Sequence, residues 1–142
     1  MTASKKHQSQ WAAQFLTAAK LASRGFEVAF TMGNSTPLAD LFAARPDRNE
    51  AFLIDVKGQM SNNFWMIKKK DLVEKLFYIL VRVDMDDVLK SRFFVASHQM
   101  ILEMLETYKN SGIKHDDRFT GFNWGDAMKI ENNWNCLPGW EE

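Results

Sequence analysis

Apolar and polar positions along the chain change period several times, and each change marks an element. Over residues 8–24 the residues Trp11, Phe15, Ala18, Leu21 and Ala22 recur at helical spacing, and Gly25 stands where a helix stop is expected. This predicts an opening helix with those residues turned inward and Gln14 lying within the apolar stripe. Residues 26–32 then read as a strand with Glu27 near its start, and Gly33-Asn34-Ser35-Thr36-Pro37 as a turn. Residues 38–43 read as a second strand with Leu38, Asp40 and Phe42 on one face. Residues 45–49 are a turn, and 49–59 a third strand closed by Gly58. Three strands joined by short turns make an antiparallel meander.

The second half repeats the exercise with a different outcome. A polar link at 60–63 leads to the short apolar run Phe64-Trp65-Met66-Ile67, and residues 68–75 read as a short helix. Residues 76–83 are almost continuously apolar, as expected of a strand buried on both faces, and 92–96 repeat that character. Asp84, Asp86 and Asp87 fall in the turn between them. Ser97 is a suitable N-cap for a helix carrying Met100, Ile101, Met104, Leu105 and Tyr108 and ending near Gly112. From residue 113 periodicity is weak. Trp124, Trp134 and Trp140 predict an irregular segment, with a short helix or strand, packed back on the domain; a dimer contact is the alternative for these rings. The expected class is α/β, a mixed β-sheet flanked by helices in the order α-β-β-β-α-β-β-α, in one domain over residues 1–142.

Alternation along the third strand isolates an unusual row. Phe52, Ile54 and Val56 share one face; Leu53, Asp55, Lys57 and Gln59 share the other. Same-face neighbours stand roughly 6.5–7 Å apart. Charged side chains are seldom buried unless paired or bound to a metal, so an acid and an ammonium on a strand with an apolar reverse face call for an explanation. A buried ion-pair network without chemistry is the plain one.

Asp40 followed by Asp55-Val56-Lys57, on the second and third strands of a meander that follows a helix, resembles the PD-(D/E)xK nuclease superfamily, the restriction-endonuclease-like fold. The resemblance runs from about Gln10 to Tyr108 and includes Asn-Ser-Thr-Pro-Leu-Ala-Asp-Leu, Phe-Leu-Ile-Asp-Val-Lys-Gly-Gln and the later Phe-Trp-Met-Ile, Tyr-Ile-Leu-Val and Phe-Phe-Val-Ala-Ser runs of small stand-alone members. It implies a metal-dependent nuclease acting on DNA, with Asp40 and Asp55 as ligands of Mg²⁺ or Mn²⁺ and Lys57 as the catalytic lysine. The chemistry agrees: phosphodiester hydrolysis uses a divalent cation to neutralise charge and activate water, and Mg²⁺ takes oxygen ligands. Gln59 extends the row as an auxiliary catalytic group that orients water or contacts phosphate. Active relatives usually present a Glu from the first helix. Counting back from Arg24-Gly25-Phe26, that position is Gln14, whose amide keeps an oxygen but loses a charge; Glu27 is the candidate substitute. The rival class is therefore a non-catalytic domain of this fold that binds nucleic acid or protein.

Composition adds constraints. Lys plus Arg and Asp plus Glu number 18 each, so any electropositive DNA-binding surface must be local. Lys68, Lys69 and Lys70, following Phe64 and Trp65, are the candidate phosphate-tracking run, with a solvated helix start as the plainer reading. The single cysteine, Cys136, excludes an intrachain disulfide and reads as packing; with the polar N-terminus and the lack of any membrane-length apolar run, it predicts a cytoplasmic protein with no membrane partner. His98 reads as a surface residue, and His115-Asp116-Asp117 as a loop.

Overall fold

The computed structural model describes residues 3–31, 38–112 and 120–141. Helix α1 (Ala3–Ala22) is followed by strands β1 (Glu27–Phe30), β2 (Leu41–Arg45) and β3 (Glu50–Gln59). The short β4 (Trp65–Met66), then β5 (Leu76–Arg82), β6 (Arg92–Ser97) and helix α2 (His98–Lys109) come next. The last pieces are β7 (Gly121–Phe122) and a helical turn, α3 (Trp124–Ala127). The class is α/β. One five-stranded sheet has the order β1-β2-β3-β5-β6, and β4 pairs with β7 in a separate ribbon. β1, β2 and β3 form the expected antiparallel meander. β5 lies parallel to β3, and β6 antiparallel to β5. No helix among the described residues is long and apolar enough to cross a membrane.

The sheet has a core on each face. Phe52, Ile54 and Val56 of β3 join Leu41, Phe77, Ile79, Val81 and Val95 in the core beneath α1. Tyr78, Leu80, Phe94 and Ala96 point to the opposite face, where Ile101 and Leu105 of α2 and Trp65 and Phe122 of the ribbon cover them. β5 is thus buried on both sides, as its continuous apolar run requires. The C-terminal rings divide between the layers. Trp134 and Trp140 stack on each other on the α1 side, and Trp124 packs against Trp65 and Phe94 on the α2 side. Ser97 caps α2 by accepting the Met100 N–H.

Several expectations need correction. The crossover from β3 to β5 contains no helix at 68–75, so the element order lacks its middle helix. Main-chain bonds to distant partners hold this stretch open: the Val73 N–H donates to His98 Nδ1 and the Lys75 carbonyl accepts the Leu53 N–H. Those bonds outweigh the modest helix preference of a Lys-rich run. β2 starts at Leu41 rather than residue 38, and Phe42 faces away from the buried Leu41 and Ala43. The third strand, expected over 49–59, spans Glu50–Gln59, so Gly58 lies within it rather than closing it. The expected turn at 33–37 and the His115-Asp116-Asp117 run lie outside the described residues.

α1 also turns a different stripe inward. Ser9, Ala13, Thr17 and Leu21 are buried, whereas Trp11 and Phe15 are 48% and 56% exposed. The reason is clearance. A Cβ placed on Gly58 would come within 2.8 Å of the Ala13 Cβ and 2.9 Å of the Ser9 carbonyl oxygen. Helix and strand approach too closely there for an indole or phenyl ring. The displaced rings stack along the outside, Trp11 on Phe15 and Phe15 edge-on to Phe30. Gly58→Ala must therefore push α1 off β3. We expect a loss of about 1–3 kcal/mol in urea unfolding, the usual cost of overpacking a tight contact. An unchanged midpoint would show that the helix yields freely.

Candidate functional site

The site begins where β3 outruns β2. Leu41, the first residue of β2, pairs with Ile54, so the edge of β3 beyond Ile54 has no β2 neighbour. Its other edge is filled by β5, in register from Leu53↔Leu76 to Gln59↔Arg82. Side chains satisfy the open edge. Asp40, just before β2, donates its own N–H to the Ile54 carbonyl, and its Oδ2 accepts the Val56 N–H at 2.7 Å. Gln10 of α1 supplies the next rungs: its Nε2 donates to the Val56 carbonyl at 2.8 Å and its Oε1 accepts the Gly58 N–H at 3.0 Å. Between these groups lies a cavity of about 180 Å³ lined by Gln10, Ala39, Asp40, Asp55, Val56 and Lys57.

Asp55 is 5% exposed and both of its oxygens are engaged. Lys57 Nζ stands 3.3 Å from Oδ1, and Lys70 Nζ, from the crossover, 3.4 Å from Oδ2. Burial raises the Asp40 pKa above the ordinary carboxylate value; the Val56 N–H opposes this, the Asp55 charge reinforces it, and Lys57 and Lys70 pull it down. Beside Asp55, in register on β5, lies Tyr78. Its hydroxyl is buried with no hydrogen-bond partner among the described residues, and burial, then the Asp55 charge, push its pKa up to about 12. The His98 ring stands 5.5 Å from the Tyr78 ring. Its Nδ1 accepts the Val73 N–H, which puts the proton of the neutral ring on Nε2, and burial holds its pKa below the usual imidazole value.

The structure therefore gathers Asp40, Asp55 and Lys57 and adds Lys70 to them. The other expected residues stand elsewhere. Gln59 is two alternations along from Asp55, roughly 13 Å at strand rise; its amide donates to the Asn63 carbonyl and closes the turn after β3. It lines a neighbouring groove of about 500 Å³ that shares Gln10 and Lys57 with the cavity and continues past Ser61, Asn63 and Phe64. Glu27 is exposed at the far end of the β1–β2 pair, opposite Ala44. Lys68 and Lys69 are exposed on an extended segment. The amide that reaches the site from α1 is Gln10, and Gln14, one turn further on, does not line the cavity. His98 is buried rather than on the surface. Cys136 is a free thiol whose pKa burial pushes up to about 11.

Gln10, Tyr78 and His98 escaped the sequence reading as neighbours of the site. Gln10 shares a helix face with Gln14, so counting turns back from Gly25 leaves a one-turn ambiguity. Nothing in the local pattern marks Tyr78 or His98. No protein-family model, curated protein or solved structure matches this chain.

Among the described residues no group of three or more His, Cys, Asp and Glu side chains assembles. The donors present are the Asp40 and Asp55 carboxylates and the Val56 carbonyl. All are oxygens, the type a hard dication takes, with water completing its shell. In donor chemistry the cavity fits Mg²⁺ or Mn²⁺, and the lysines on Asp55 are what such an ion must contend with.

Two outcomes follow. Gln10→Ala leaves the Val56 carbonyl and Gly58 N–H without their partner and should cost about 1–3 kcal/mol in chemical denaturation, while Gln14→Ala should cost less than about 0.5 kcal/mol, as at an ordinary surface position; equal effects would return Gln14 to consideration. For Asp40, a pKa raised in the folded chain means that the native state holds more protons, so this acid's contribution to stability falls as pH rises from the unfolded value of about 3.9 through the folded one. The side-chain oxygen of an asparagine in its place can still accept the Val56 N–H. Asp40→Asn should thus stabilise the cation-free protein at pH 7 by roughly 0.5–2 kcal/mol, as relief of a functional site commonly does, and by less near pH 4. Thermal unfolding at both pH values measures the difference.

Proposed function

We propose that the chain is a metal-dependent nuclease-like domain with the restriction-endonuclease-like fold, hydrolysing phosphodiester bonds in DNA. One observation carries the reading: Asp40, Asp55 and Lys57 line a single cavity at the open edge of β3. The topology supports it, with an antiparallel meander, a parallel neighbour for the acid-bearing strand, and helices α1 and α2 on opposite faces.

Asp40 would hold Mg²⁺ or Mn²⁺ through Oδ1, the oxygen that does not accept the Val56 N–H, and Asp55 through an oxygen that a lysine now pairs with. When bound, such an ion supplies neutralisation of phosphate charge and activation of water. Lys57, 37% exposed at its side chain, has a free path from Asp55 to an incoming phosphate. Its positive charge is worth most where negative charge builds on the phosphate oxygens in the transition state. Gln10 keeps the Val56–Gly58 edge in place, so the acid and the lysine on that strand do not move as the substrate arrives.

A second reading, a domain of the same fold that binds nucleic acid or protein without cleaving, is favoured by the charge balance. Two acids face two lysines, and the α1 group at the site is a neutral amide. Cleavage decides between the readings. Wild type and Lys57→Ala would be incubated with single-stranded, double-stranded and branched DNA in Mg²⁺ and Mn²⁺. The nuclease reading expects cation-dependent cleavage that falls about 10²–10³-fold in the variant, with the cation-induced rise in Tm retained and abolished by Asp55→Asn. No cation-dependent cleavage by the wild type selects the non-catalytic reading. Cleavage equal in both proteins removes Lys57 from the site.

A further inference from the structure

We propose that Lys70 is an internal cation that neutralises Asp55 at rest, and that a divalent cation gains Asp55 only by displacing it. The inference rests on the metal-site reading above and adds a regulator of that site.

A carboxylate as buried as Asp55 needs a compensating charge, and it has two. The lysines hold it in different ways. Lys57 follows Asp55 on the same face of β3, and its backbone is locked between β5 and the Gln10 amide. Lys70 arrives from a crossover that is neither helix nor strand between Ile67 and Val73. Its backbone is tethered on both sides: upstream the buried Ile67 donates its N–H to the Thr120 carbonyl and accepts the Thr120 hydroxyl at its own carbonyl, and downstream the buried His98 accepts the Val73 N–H at 3.0 Å and the Lys75 carbonyl accepts the Leu53 N–H at 2.9 Å. Those anchors deliver the Lys70 ammonium to Oδ2 and leave its long side chain able to swing away. Lys68 and Lys69 beside it are exposed, so the third lysine of the run is the one turned inward.

Charge accounts for the exchange. Asp40, Asp55, Lys57 and Lys70 sum to zero. A dication entering with both lysines in place would leave two excess positive charges and put like charges on one carboxylate, a repulsion of several kcal/mol per close pair at an effective dielectric of about 20. Releasing Lys70 removes the one of the two whose backbone lies outside the sheet. Asp55 is then protected from misplaced cations, and the affinity of the site is set by a competition within the chain.

Lysine acylation read by mass spectrometry tests this, with Lys68 and Lys69 as internal references. In the wild type, Mg²⁺ should raise Lys70 labelling several-fold and leave the references unchanged. In Asp55→Asn, Lys70 should label rapidly with or without Mg²⁺. Calorimetry with Mn²⁺ should find Lys70→Met binding about tenfold tighter than wild type, reflecting one like charge removed from a part-exposed site. If Mn²⁺ raises the wild-type Tm yet Lys70 labelling and Lys70→Met affinity stay unchanged, the displacement is wrong and the metal site stands. If neither wild type nor Lys70→Met binds Mn²⁺, both fall together. Binding by Lys70→Met alone would show the lysine holding the site shut.

Discussion

The open edge of β3 is the constraint on which the rest of the molecule depends. Backbone N–H and C=O groups inside a protein must find partners, and β2 ends its pairing at Ile54, too early to supply them. Asp40 and Gln10 take over the missing rungs at Val56 and Gly58. A glutamine amide presents an acceptor and a donor side by side, as a peptide unit does, and so continues the ladder with the polarity of a strand. It reaches that far only because α1 lies close against β3. The approach explains why the buried stripe of α1 is small and why position 58 carries no side chain. Helix position, glycine, amide and acid are parts of one arrangement.

Legibility in the sequence follows the same division. Where a residue's fate was decided by its own strand, the pattern sufficed. Alternation in β3 put Phe52, Ile54 and Val56 in one core, and the unbroken apolar run of β5 gave burial on both faces. Ser97 was recognisable as a cap because capping is local. Where the fate depended on a distant partner, the pattern misled. Trp11 and Phe15 are the most hydrophobic residues of α1 at helical spacing, yet the clearance at Gly58 excludes them. The Lys-rich stretch at 68–75 has helical composition, yet bonds to His98 and Leu53 hold it out of a helix. Asp55 and Lys57 announce themselves by sitting two apart on one face. Lys70, separated from Asp55 by an irregular crossover, has no periodic relation to it that a sequence could display.

The charged row gains little stability for the fold. Replacing a buried ion pair by apolar residues of similar volume is often neutral or stabilising, because desolvation offsets much of the attraction. An apolar side chain is readily accommodated on this face, as Leu53, one alternation before Asp55, packs into the core on the α2 side. Tyr78 sharpens the point. Its hydroxyl is buried on the strand beside Asp55 without a partner among the described residues, an arrangement a phenylalanine would avoid. Acid, lysines and tyrosine thus form a polar patch beside two hydrocarbon cores.

That patch lies on a strand bonded along both edges. β3 is bound along one edge by β5 and along the other by the side chains of Asp40 and Gln10, with α1 pressed against its reverse face. Electrostatic groups act on a reacting phosphate most strongly when they are fixed before it arrives and need no reorganisation on contact. Rigid elements provide that for Asp55 and Lys57. The same rigidity would trap a tightly self-neutralised site in its resting form if every charge were mounted on the sheet. Lys70 is mounted on the crossover instead, anchored beyond its own position at Val73 and Lys75. Asp55 and Lys57 are thus carried by the sheet, and the second cation on Asp55 by a segment outside it.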